Sequence, residues 1–185
     1  INMSKAAVFM TSGTEEVEAL MVVDMLRRAK IDTTIVAITE DKSITGSHNI
    51  TVLADNTFEE VDFDDIDILV LPGGMPGTLN LKACKKLTDL IGEFDSEKKG
   101  LAAVCAAPTI LGACGVLKDK KATCFPGFED ELACKEFLAI PVVKDENVIT
   151  SRGLGTTIDF AAAIIEYCTD KKSAEEILDR IVYKK

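Results

Sequence analysis

Short unbroken apolar runs alternate along this chain with longer stretches in which apolar positions recur every three or four residues, the signatures of buried strands and half-buried helices. KAAVFM (5–10) reads as a strand. EEVEALMVVDMLRRAK (15–30) reads as a helix with acids first and bases last, as the helix dipole favours. DTTIVAIT (32–39) is a second strand, and residues 41–60 hold short β-like pieces around a turn at Gly46. IDILVLPGG (66–74) is a fully apolar strand ending in glycines, followed by a helix over 80–99. GLAAVC (100–105) and APTILGACGVL (107–117) repeat the strand–helix step. KATCF (121–125) and AIPVVKDENVITS (139–151) read as later strands, the second broken by a turn near Asp145. Helices over 156–168 and 173–183 close the chain, and Thr156 with Asp159 three residues on has the form of a capping box. Apolar strands alternating with helices predict a mainly parallel sheet with helices on both faces, a doubly wound α/β domain over 3–185. Ile1 and Asn2 read as a remnant ahead of Met3. In such sheets ligands gather at the carboxyl ends of the strands.

Composition narrows the classes. Of 185 residues, 47% are hydrophobic, enough for one well-filled domain or at most two small ones. The net charge of −10, with no long basic stretch, disfavours nucleic acid as a partner. No apolar run approaches the ~20 residues of a membrane span, and no signal-like segment opens the chain. Six cysteines lack C-x-x-C pairing and zinc-ligand spacing, and His48 is the single histidine. Reduced thiols, a cytoplasmic setting, no metal and no cofactor are therefore expected.

The chemistry centres on GLAAVCAAPT (100–109). Small residues flank Cys105, and Pro108 falls where a helix's first turn begins, the form of a nucleophile elbow between strand and helix. There Cys105 would meet the positive end of the helix, which favours thiolate; a cysteine at a strand end also serves as a small hydrophobe. The other five cysteines are read as packing residues. In TSGTEEVEAL, Glu15 and Glu16 suit the helix dipole, whereas Glu18 begins the apolar stripe of Val22, Met25 and Ala29. A carboxyl group on that stripe is desolvated and its pKa rises, so it could donate a hydrogen bond to a thiolate. In LVLPGGMPG, Gly74 could offer an amide to an oxyanion, with Ala106 N–H as the second donor. An ordinary strand-to-helix turn uses the same glycines. TSRGLGTT lacks phosphate-loop spacing and is read as a turn.

EEVEAL with DMLRRA, then LVLPGG, AAVCAAPT and TSRGLGT, in that order, resemble the ThiJ/PfpI superfamily, in the branch of the Parkinson-disease protein deglycase and its bacterial relatives. The resemblance implies a flavodoxin-like sandwich that forms a homodimer. It implies a reactive Cys105, a protonated Glu18 as its partner, and backbone oxyanion donors at Gly74 and Ala106. Near the interface it implies an anion-binding role for His48, at a place where relatives carry an arginine, with Arg28 joining it and Glu15 close by. Many relatives place a histidine near the cysteine where this chain has Phe125, which weakens a cysteine-peptidase reading, since hydrolysis needs a base that protonates the leaving amine. Two functions follow from the resemblance. One is a cofactor-free glyoxalase or deglycase acting on small 2-oxoaldehydes, methylglyoxal to lactate, with a role under oxidative stress. The other is a non-enzymatic redox sensor or chaperone, with client proteins, that uses oxidation of the same cysteine.

Overall fold

Seven strands form the central sheet of the computed structural model, which describes residues 3–183; the reading of Ile1 and Asn2 as a remnant lies outside the described residues. In chain order the elements are β1 (Lys5–Met10), α1 (Glu16–Arg28), β2 (Asp32–Ala37), β3 (Ser43–Thr45), β4 (Thr51–Leu53), β5 (Asn56–Thr57), β6 (Ile68–Leu71), α2 (Gly77–Ala83), α3 (Lys85–Ser96) and β7 (Gly100–Val104). There follow α4 (Pro108–Ala113), β8 (Lys121–Ala122), β9 (Glu136–Phe137), β10 (Val142–Asp145), β11 (Val148–Ser151), α5 (Thr157–Cys168) and α6 (Lys171–Arg180). The sheet runs β10-β11-β7-β6-β1-β2-β5 and is parallel except for β10, which turns back on β11. The fold is the expected doubly wound α/β sandwich.

Alternate residues of each strand feed two cores. Ala6, Val8 and Met10 of β1 pack with α1, α5 and α6 on one face; Ala7 and Phe9 pack with α3 and α4 on the other. β1 leads through α1 to β2 on one side, while β6 leads through α2 and α3 to β7 on the other. The order therefore reverses between β1 and β6, where their carboxyl ends leave a crevice. Among the described residues no helix is long and apolar enough to cross a membrane.

Three local expectations change. The helix expected over 80–99 breaks at Cys84, whose backbone is extended (φ −78°, ψ 100°). Leu81 and Leu87 are both fully buried, yet a six-residue spacing puts them on different faces of one continuous helix; the break turns both inward. The strand expected at 121–125 is only two residues long and pairs with β9 outside the main sheet. Beyond it the backbone bonds elsewhere: Thr123 N–H donates to Thr150 Oγ1, Arg152 Nε to the Cys124 carbonyl, and Phe125 N–H to the Cys105 carbonyl. The Thr156–Asp159 capping box does not form, because Thr156 Oγ1 is taken by Ser151 Oγ and the amides of Arg152 and Gly153, and Asp159 accepts from the Tyr183 hydroxyl.

Candidate active site

Cys105 lies at the carboxyl end of β7, beside the β1/β6 reversal. The residue follows β7 directly and has φ 65°, the left-handed region that a side chain normally avoids. Two main-chain bonds hold it there: Cys105 N–H donates to the Ser151 carbonyl (3.1 Å), and the Cys105 carbonyl accepts from Phe125 N–H (2.8 Å). Ala103 and Ala107 beside it are fully buried, and Pro108 opens α4, as the elbow pattern predicts. That helix has only six residues, however, so its dipole contributes little. The local polarity comes from two nearby amides, Ala106 N–H and Gly74 N–H, which favour the ionised sulfur of Cys105.

Glu18 reaches the same sulfur from α1. The expected stripe is present, with Glu18, Val22 and Met25 each 1% exposed. Its carboxyl group faces Cys105 across Gly73, and Oε2 accepts from Gly73 N–H at 2.9 Å. Gly73, not singled out by sequence reasoning, sets this geometry. A β-carbon there would stand 2.6 Å from the Cys105 β-carbon and 2.7 Å from Glu18 Oε2, so only glycine lets the two side chains meet. Gly74 has φ 92°, and a β-carbon on it would meet Glu15 N at 2.3 Å. The diglycine was the available signal, but which glycine did what required three dimensions.

Burial pushes the Glu18 carboxyl up from its ordinary 4.5 to about 7, aided by the Glu15 charge and opposed by the Gly73 amide and the thiol. Burial, then the Glu18 charge and its hydrogen bond, push the Cys105 thiol up to about 12, against the pull of the Ala106 and Gly74 amides. This corrects the expectation of a simply acidified thiol. The two groups form one coupled acid, and between these limits the pair carries one proton. Written one way it is a thiol beside a carboxylate; written the other, a thiolate beside a carboxylic acid. Cys124 and Cys168 are also raised to about 12, chiefly by burial, with no such partner. All six cysteines are unpaired.

The other predicted positions divide. Glu15 is not in the helix but caps it, its Oε2 accepting Glu18 N–H at 2.7 Å, and so fixes the turn that carries Glu18. Glu16, expected to be a dipole acid, is 1% exposed and accepts the amides of His48 (2.9 Å) and Ile50 (3.2 Å). Burial raises its pKa, but the amides of Glu16, His48 and Ile50 together pull it below its ordinary value. Glu16 thus fastens the β3–β4 hairpin to α1, and Gly46 leaves room for it. The exposed His48 ring lies 3.4 Å from Glu16 Oε2 and 3.6 Å from Glu15 Oε1; these three ligand atoms lie within 4.8 Å of one another, a grouping that sequence spacing had hidden. Arg28 pairs with Asp24 at the far end of α1 and does not approach His48 within the chain. Phe125 is half-exposed beside the elbow, bound to it only through its main chain.

Residues 4–167 match the sequence profile of the DJ-1/PfpI family. The chain belongs to the DJ-1/PfpI family. Protein DJ-1 homolog B of Arabidopsis thaliana is 34% identical over 182 residues, 97% of this chain. The chain spans only 42% of that relative's length. A deglycase of Pyrococcus abyssi is 39% identical over 112 residues, 59% of this chain and 66% of that protein. The structure of oxidized Toxoplasma gondii DJ-1 matches with a TM-score of 0.94 at 28% identity, covering 98% of this chain and 100% of that one. The flavodoxin-like sandwich is thus the DJ-1 fold, and the crevice described above is this DJ-1/PfpI chain's candidate active site.

Proposed function

We propose that the chain is a cofactor-independent enzyme of the glyoxalase or deglycase type, acting on small 2-oxoaldehydes through Cys105. The observation that carries this reading is the buried Glu18 carboxyl brought against Cys105 over Gly73, where a β-carbon would stand 2.6 Å from the Cys105 β-carbon and 2.7 Å from Glu18 Oε2. As sulfur adds to the aldehyde carbon, the proton stays with Glu18, the carbonyl electrons move to oxygen, and Gly74 and Ala106 N–H groups receive the oxyanion. Glu18 then protonates that oxygen, giving a hemithioacetal. The Glu18 carboxylate next takes the C1 hydrogen as a proton and returns a proton to C2, while the C1 hydroxyl proton passes to the C2 oxygen, which converts the adduct to a thioester of a 2-hydroxy acid. Water cleaves the thioester and restores the thiol. Methylglyoxal plus one water becomes lactate, an internal oxidation–reduction that needs no outside oxidant.

The test is lactate formation from methylglyoxal in buffer free of thiols and amines, which would otherwise react with the aldehyde. Wild type is expected to form lactate and Cys105→Ser to form none. Equal rates in both proteins would defeat the reading.

Glu18 also favours a second reading, a redox sensor or chaperone, because a protonated carboxyl can donate to an oxidised Cys105. A relative solved in an oxidized form accords with it. The cysteine-peptidase reading stays last, since no imidazole bonds to Cys105 among the described residues. A homodimer through the outer face of α1 completes the proposal. Val17 on α1 is exposed, as are Ile50 and Leu53 of the β3–β4 hairpin that Glu16 fastens to it. Arg28 and the His48 loop lie at opposite ends of α1, roughly 18 Å apart at 1.5 Å per residue, so they meet only if a second α1 lies antiparallel. Light scattering under reducing conditions should give twice the 20.0 kDa chain mass; a lone monomer would exclude this interface. The unpaired thiols suit the cytoplasmic setting within the same proposal.

A further inference from the structure

The elbow is flanked by apolar side chains that the protein leaves uncovered. Phe125 is 45% exposed, although its N–H is bonded to the Cys105 carbonyl at 2.8 Å. Its ring lies beside Gly153, where an added β-carbon would stand 3.3 Å from Cδ2 and 3.7 Å from Cε2, and it meets Phe128 edge-on with centroids 6.5 Å apart. Leu154, next to Gly153, is 51% exposed, and this loop begins at Ser151, whose carbonyl accepts Cys105 N–H. Met75, next to the Gly74 amide that faces the sulfur, is 42% exposed. Three large apolar residues thus lie near the elbow: Phe125 itself holds the Cys105 carbonyl, Leu154 follows the Gly153 that Phe125 touches, and Met75 follows Gly74. Other phenylalanines of the sheet and its helices, Phe9, Phe94 and Phe160, are at 2% exposure or less. Uncovered apolar surface at a reactive group marks a place where something apolar is meant to sit.

We propose that Phe125, with Met75 and Leu154, selects 2-oxoaldehydes carrying an apolar or aryl substituent over methylglyoxal. This rests on the Cys105 reading above and narrows its substrate class. The first step is unchanged in its balance: sulfur bonds to the aldehyde carbon, the thiol proton ends on the carbonyl oxygen, and nothing leaves. The substituent on the 2-oxo carbon then projects over the Phe125 ring, where an aryl group gains an aromatic contact and a methyl group gains little.

Two measurements separate this inference from the proposed reaction. The first is the alkylation rate of Cys105 by N-benzyl iodoacetamide relative to iodoacetamide, read by peptide mass mapping, with glutathione as the unselective standard. The second is the kcat/KM ratio of phenylglyoxal to methylglyoxal. Wild type is expected to exceed glutathione in the first ratio by about tenfold and to favour phenylglyoxal in the second by a similar factor. Phe125→Ala should abolish both preferences, while Phe125→Leu, which keeps apolar bulk, retains part of each. A wild-type alkylation ratio equal to that of glutathione, or one unmoved by Phe125→Ala, overturns the inference. If the alkylation preference holds but neither aldehyde is consumed, the apolar rim stands and the glyoxalase reading falls. If both aldehydes are consumed without preference, the reverse is true.

Discussion

Replacing Glu18 with glutamine should make the protein more stable, and only above a defined pH. Glu18 is 1% exposed, and its carboxyl titrates at about 7 instead of 4.5. In the unfolded chain it ionises near 4.5, so below that pH both states hold the proton and the residue is neutral in the balance. Between 4.5 and about 7 the unfolded chain releases the proton while the folded one keeps it, and stability falls as pH rises. Above 7 both are ionised and the penalty is constant, about 3 kcal/mol at about 1.4 kcal/mol per pH unit. Glutamine keeps an oxygen for Gly73 N–H and carries no charge to bury. Urea unfolding followed by far-UV circular dichroism at pH 4.5 and pH 8 measures both proteins. The advantage of Glu18→Gln should grow by about 3 kcal/mol between the two pH values, with contributions from groups other than its coupled partner Cys105 cancelling in the difference. Parallel stability curves for the two proteins would refute the claim that burial, not helix capping, sets the Glu18 carboxyl.

The shared proton gives a second expectation. Iodoacetamide labelling of wild-type Cys105 should rise with a midpoint near the first ionisation of the pair, about 7, and Glu18→Gln should move that midpoint up by at least about one pH unit; coincident profiles would show that no proton is shared. Gly73→Ala drives a methyl group to 2.6 Å from the Cys105 β-carbon, so it should cost about 1–3 kcal/mol in urea unfolding and slow Cys105 labelling, whereas normal values for both would mean that the two side chains do not need that space. Mild peroxide should carry Cys105 to sulfinate and stop, leaving the other cysteines reduced; Glu18→Asp shortens the reach and should change the extent or let oxidation run on to sulfonate, and identical mass spectra from the two proteins would exclude stabilisation by Glu18.

Much of this site could be read in one dimension because its parts follow from period and punctuation. The stripe Glu18, Val22, Met25 is a helical period, and its burial follows. Small residues around Cys105 and Pro108 mark a strand that must turn sharply, and the turn is there. What escaped was whatever depends on distance across the fold. Gly73 and Gly74 are adjacent letters, yet one makes room for the Cys105–Glu18 contact and the other turns an amide toward the sulfur. Glu16 looked like a third acid at a helix start, but the hairpin that needs its carboxylate lies about thirty residues later, with partners at His48 and Ile50. The thiol was misjudged for a similar reason: the dipole argument treats Cys105 alone, whereas its titration belongs to a pair. Likewise the split at Cys84 reflects which face of the sheet each helix must cover.

The two main-chain bonds on Cys105 have a mechanical consequence. With its N–H tied to Ser151 and its carbonyl tied to Phe125, the residue cannot swing its backbone when the sulfur changes partners. Only rotation about the Cα–Cβ bond remains, so every species formed on the sulfur travels along one arc. A proton, an oxygen or a carbon adduct is therefore presented in succession to the same fixed stations, Glu18 and the two amides. The backbone acts as a bearing and the side chain as its single moving arm, which lets one cysteine take up chemically different loads without the sheet behind it changing shape.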